Sequence, residues 1–110
     1  MLIPDKWLIM KIDNTETIFY KVFASWSGSF LNGDSWKINS GIKDVLEDEK
    51  SWDIIGYSSS IYSCGKGKYG ITVYGSSVLD DMLKKAPEGF VTVLDEDSAV
   101  EILNKFKDSK

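Results

Sequence analysis

The chain has no histidine and no arginine. Without histidine it lacks the side chain most often used as general acid, general base and metal ligand. Without arginine it lacks the planar fork that grips phosphate, carboxylate and guanine edges. All 13 basic residues are lysines. Cysteine occurs once, at Cys64, so no internal disulfide can form, and a free thiol is usual in a reducing compartment. Proline occurs twice, at Pro4 and Pro87. No apolar run approaches the ~18 residues that a membrane-spanning helix needs. The opening Met1-Leu2-Ile3-Pro4-Asp5-Lys6 lacks the basic region of a signal peptide, and Pro4 and Asp5 interrupt its apolar residues. The expected location is therefore the inside of a cell, with no membrane contact.

At 110 residues, with 43% hydrophobic content, the chain fits a single domain spanning 1–110. The net charge of −4 argues against generic nucleic-acid binding, whose affinity rests on phosphate contacts. It fits a soluble protein, or one that meets a basic partner surface.

The apolar pattern alternates through the first two-thirds. Lys6 to Ile12 reads as a strand, and Thr17 to Trp26 as a second, joined by a turn at Asp13-Asn14-Thr15-Glu16. In the second run Ile18, Tyr20, Val22, Ala24 and Trp26 share one face, and Phe19, Lys21, Phe23 and Ser25 the other. Trp26 to Gly41 then packs two tryptophans and three glycines around Asn32-Gly33, the strongest turn signal in the chain. Ser35 to Asn39 and Ile42 to Leu46 follow as short strands. Trp52 to Cys64 is long enough for one bent strand or two, with Gly56 as a bulge. Two helical patterns come last. Ser77-x-x-Asp80 reads as a capping box for a helix with Val78, Leu79, Met82, Leu83 and Ala86 on one face, stopped by Pro87. Phe90 to Leu94 reads as a strand. Ser98-x-x-Glu101 opens a second helix with Ala99, Ile102, Leu103 and Phe106 on one face. The expected fold is α+β: an antiparallel β-meander of about five strands, then two amphipathic helices flanking a short strand. The helices are expected to cover one sheet face.

No catalytic constellation emerges. Cys64 has no histidine to activate it and reads as an inert thiol. The loop Gly65-Lys66-Gly67-Lys68-Tyr69-Gly70 lacks the Walker order but is the best candidate for an anion contact, through Lys66 and Lys68. The acidic runs Glu47-Asp48-Glu49 and Asp95-Glu96-Asp97 lack calcium-loop spacing and read as solvated turns and a helix entry. No metal or other cofactor is expected. Trp36 or Tyr69 is the aromatic side chain expected to anchor a protein interface, with Asp34 among the acids steering a basic partner.

The pattern Tyr20-Lys21-Val22-Phe23-x-Ser25-Trp26-Ser27-Gly28, then Gly33-Asp34-Ser35-Trp36-x-x-Asn39-Ser40-Gly41, resembles small uncharacterised proteins of large tailed bacteriophages, including phages of marine cyanobacteria. So does Gly56-x-Ser58-x-Ser60-x-Tyr62-x-Cys64-x-Lys66-x-x-Tyr69-Gly70 with the Val78-Leu79 helix after it. The resemblance spans residues 5 to 83 and stops before Pro87. It carries no activity and no catalytic residue. It implies a viral accessory or host-modulating protein made in the host bacterial cytoplasm. The leading expectation is a non-enzymatic module that binds a host or phage protein, as monomer or homodimer. The alternative is a module for nucleic acid or a small anion that uses Lys66 and Lys68.

Overall fold

Trp7-Leu8-Ile9-Met10 are all buried, although alternate strand residues point to opposite faces. Both faces of this strand must therefore be covered. The structure, a computed structural model, describes residues 1–28 and 33–108 and shows how. Strands β1 (Lys6–Asp13), β2 (Ile18–Trp26) and β3 (Ser35–Ile38) form an antiparallel meander. Strands β4 (Ile42–Glu47), β5 (Ser51–Gly56) and β6 (Ile61–Gly65) form a second one. Helix α1 (Val73–Lys85), the short β7 (Val91–Val93) and helix α2 (Glu96–Asp108) complete the α+β fold. β7 returns to pair antiparallel with β1, so the first sheet has the order β3-β2-β1-β7 and the second β4-β5-β6.

The register Trp7↔Ala24, Ile9↔Val22 puts these residues on one face of the first sheet. There they meet Val45, Trp52, Ile54 and Cys64 of the second sheet, and Ala99 and Leu103 of α2. Leu8, Met10, Ile12 and Phe23 occupy the other face and pack with Leu79 of α1. The two helices thus lie on opposite faces of the first sheet, not on one as expected. β1 is the layer they share.

Helix starts are the second correction. Ser77 lies inside α1; the N-cap is Thr72, whose Oγ1 accepts the Gly75 N–H at 3.1 Å. Gly75 is a poor helix former in the first turn of α1, and its packing explains it. A Cβ there would stand 3.0 Å from the Ser25 Cβ and 3.0 Å from the Ile71 Cγ1. α2 opens at Asp95, whose carboxylate accepts the Ser98 N–H at 2.8 Å, so Ser98 is capped instead of capping. That bond holds the Asp95 carboxyl below its usual range. Pro87 follows the last turn of α1 as expected.

Trp52 to Cys64 divides into two strands, and Gly56 is the last residue of β5 and not a bulge. The irregularity lies opposite it, in β4, where the register steps from Ile42↔Gly56 to Asp44↔Ile55 and leaves Lys43 over. Of the expected Asn32-Gly33 turn, Asn32 lies outside the described residues, while Gly33 has φ +66°.

Asn39 is the joint between the sheets. Its Oδ1 accepts the Val22 N–H at 2.8 Å and the Gly41 N–H at 3.3 Å, which extends the β2 ladder past the end of β3. The chain then turns through Gly41 at φ +122°, a conformation that glycine adopts freely.

Candidate functional site

The glycine- and lysine-rich loop closes the fold. β7 pairs with β1 only from Met10 to Ile12, and beyond that the outer edge of β1 needs other partners. The Leu94 N–H donates to the Ile9 carbonyl at 3.0 Å. The Ile9 N–H donates to the Tyr69 hydroxyl at 3.0 Å, and that hydroxyl donates to the Leu94 carbonyl at 2.7 Å. Next along the edge, Trp7 receives the Gly70 N–H at 2.8 Å and donates its own to Lys68 at 3.2 Å. The Trp7 indole Nε1 donates to the Gly65 carbonyl at 2.8 Å. Tyr69 also packs edge-on against Trp7, with centroids 4.9 Å apart. Burial pushes its phenol up to about 12. Tyr69 is therefore a structural plug turned inward, which corrects the expectation of an outward anchor.

Lys66 does not stand ready for an anion. It and Lys107 grip the two carboxylate oxygens of Glu47, the Lys107 bond measuring 2.6 Å. Both ammonium groups also lie over the Trp52 ring, at 5.1 and 5.8 Å. This clamp ties the end of α2 to β4 and the end of β6. It engages the Lys66 ammonium with a carboxylate and leaves Lys68 exposed.

The Lys107 and Lys66 bonds hold the Glu47 carboxyl below the ordinary 4.5. A depressed carboxylate adds stability above its unfolded pKa and loses it as pH falls through the folded value. Glu47→Gln should therefore lower Tm at pH 7. The gap from wild type should narrow below pH 4.5 and in high salt, where exposed pairs are screened. Paired thermal melts from pH 7 to pH 3 check this.

The other acids serve turns. Asp48 accepts the Lys50 and Ser51 N–H groups, both at 2.8 Å, and these bonds hold its carboxyl low. Asp34 accepts the Gly28 N–H at 3.0 Å across the loop before β3. Among the described residues no group of three or more metal-ligating side chains stands together. Cys64 is fully buried, and burial pushes its thiol up, away from reactivity.

Trp36 is different. It lies on β3, the outermost strand of its sheet, where Ser35, Trp36 and Lys37 are all exposed. One ring face stacks on buried Phe23 at 5.7 Å, with the planes 4° apart. Trp36 is nonetheless 37% exposed. Among the described residues no strand pairs with the far side of β3. Among the described residues the arrangement is a free sheet edge carrying a pre-positioned indole. Asp34 sits at the entry to that edge. Lys66, Tyr69 and Lys68 belong to the opposite flank of β1, so the five expected site residues do not form one site.

The fold and its open edge define an α+β protein with an accessible strand. No family model matches the chain, and no curated protein or solved structure shows significant similarity to it. Among the described residues no helix is long and apolar enough to cross a membrane.

Proposed function

We propose that the chain is a non-enzymatic binding module that takes an extended segment of another protein along the free edge of β3. The carrying observation is Trp36, half-exposed on an unpaired edge strand yet fixed by its stack on Phe23. An edge strand offers its N–H and C=O groups to an added strand. An indole already held in one orientation loses little entropy on binding. The net charge of −4 favours a basic segment. The phage resemblance supplies the setting: the host bacterial cytoplasm during infection, with a host or phage protein as partner. The anion reading is weaker, because Glu47 occupies Lys66.

The test is affinity capture with the tagged protein from infected-cell lysate, run beside Trp36→Ala. One protein should be enriched by wild type, and its affinity should drop about 30-fold or more in the variant, as for a buried tryptophan anchor. Loss of the stack removes about 1 kcal/mol beyond the area that the indole buries, so a cooperative melt of the variant must accompany the binding measurement. A captured set that Trp36→Ala leaves unchanged would overturn the proposal. Self-association lost in the variant would make the partner a second copy of the chain.

A further inference from the structure

Pro87 ends α1 before the helix has covered its sheet face. The N-terminal part of α1 lies close on Ser25 through Gly75. Beyond its last turn a groove of about 420 Å³ remains between α1 and strands β1, β2 and β3. Met10, Ile12, Phe19, Ile38, Met82 and Phe90 line it. Met10 and Ile12 are nearly inaccessible and form its floor. The volume lies within the range of small-molecule sites.

Two charged residues line this groove among the described residues, Lys21 and Lys85, and no acid or hydroxyl joins them. Such a cluster stands out on a protein of net charge −4. Ammonium groups donate hydrogen bonds and accept none. The polar end of a fitting ligand must therefore be an acceptor and an anion. Lys21 makes no ion pair among the described residues; its Nζ lies 5.8 Å from the centre of the Phe19 ring. Lys85 pairs with Asp81 at 2.9 Å, an exposed i,i+4 contact that a better-placed carboxylate can replace. Both lysines can lay their alkyl stems on apolar surface and keep their charge in water.

The rest of the ligand must be a hydrocarbon. A peptide backbone would bring N–H and C=O groups into a groove whose other side chains are apolar, where they would lack partners. An alkyl chain brings none. Two flexible methionines let the walls adjust to chain length.

We propose that this groove binds a medium-chain fatty acid, with the alkyl chain on Met10, Ile12 and Phe19 and the carboxylate taken by Lys21 and Lys85. The proposal is independent of the β3-edge reading.

The chain's three methionines provide the readout. With ¹³C-methyl methionine, dodecanoate titrated below its micelle concentration should shift the Met10 and Met82 methyls saturably. Met1, 76% exposed, should stay in place. Dodecyltrimethylammonium, with the same chain and opposite charge, should bind at least tenfold more weakly, about the effect of one charge-assisted bond. The double variant Lys21→Gln/Lys85→Gln should weaken dodecanoate binding by a similar factor or more. Trp36→Ala should leave it unchanged, which separates this test from that of the β3 edge. Absence of saturable shifts, equal affinity for the cationic detergent, or Met1 moving in step with the others would each overturn the proposal. So would saturation by an acidic, apolar peptide under conditions where dodecanoate fails to bind.

Discussion

Tyr69→Phe should lower the unfolding free energy by about 2–6 kcal/mol, since it leaves two backbone groups, one on buried Ile9 and one on partly buried Leu94, without partners at about 1–3 kcal/mol each. The Ile9 N–H loses its acceptor and the Leu94 carbonyl loses its donor. The ring itself fits unchanged, so the edge contact with Trp7 survives. The loss belongs to the hydroxyl alone. Urea unfolding should show a lower midpoint with an unaltered slope. Amide exchange at Ile9 should accelerate more than exchange at Val22, which lies on the neighbouring strand and keeps the Asn39 oxygen as its acceptor. A midpoint shift worth less than about 1 kcal/mol would mean that water enters the gap and replaces the phenol.

Trp7→Ala should cost more. Removing a buried tryptophan side chain costs about 3–5 kcal/mol from lost burial and the cavity left behind. Trp7 is 2% exposed, and its indole also donates to the Gly65 carbonyl. Together these losses approach the whole stability of a small domain, about 5–15 kcal/mol. The variant should lose near-ultraviolet circular dichroism and bind a hydrophobic dye at room temperature, while Trp7→Phe should remain folded with a lower Tm. Retention of a sharp, cooperative melt by Trp7→Ala near the wild-type Tm would show that the loop 65–70 holds the edge of β1 without the indole.

The strands were legible because alternation is a local signal. The two faces read for β2 are the faces it uses: Val22 and Ala24 meet the second sheet, and Phe19 and Phe23 meet the α1 side. The helix faces were legible for the same reason, since Leu79, Ala99 and Leu103 are buried where a 3.6-residue period puts them. The helix starts were not. Ser77 and Ser98 each have an acid three residues on, but a capping box in sequence does not say whether the helix has already begun. The earlier signals were Thr72 and Asp95, each a capping residue that follows strand-like or turn-like chain. The placement of the helices on opposite faces was hidden because parity says which residues share a face and not what covers it.

The site was read less well, and the reason is distance along the chain. Lysine and tyrosine in a glycine-rich loop look solvated when judged by their neighbours. The groups that turn Tyr69 inward lie 60 residues before it and 25 after it. Lys66 finds Glu47 across 19 residues, and Lys107 finds it across 60. Asp34 and Trp36 were chosen for their surroundings in a loop, and the edge position of β3 follows from sheet order, which local pattern does not contain. The groove was missed for a related reason: Phe19 and Met82 were read as members of one strand face and one helix face, and the gap left between those faces beyond Pro87 follows from packing that local pattern does not contain.

β1 is near the start of the chain but in the middle of its sheet, between β2 and a strand some 80 residues later. On the ribosome the β1–β2–β3 meander can form as soon as it emerges. The outer edge of β1, with Trp7 to Met10, then stays bare until the loop around Tyr69 and finally β7 arrive. Its two faces wait as well, one for α1 and the other for α2. The strand with the most buried residues is thus the last to be fully enclosed, and an unpaired edge of that kind is where nascent chains aggregate. A pause in synthesis before the loop around Tyr69 and β7 have emerged should therefore trade folded protein for insoluble chain, whereas a pause after both have emerged should be harmless to the edge.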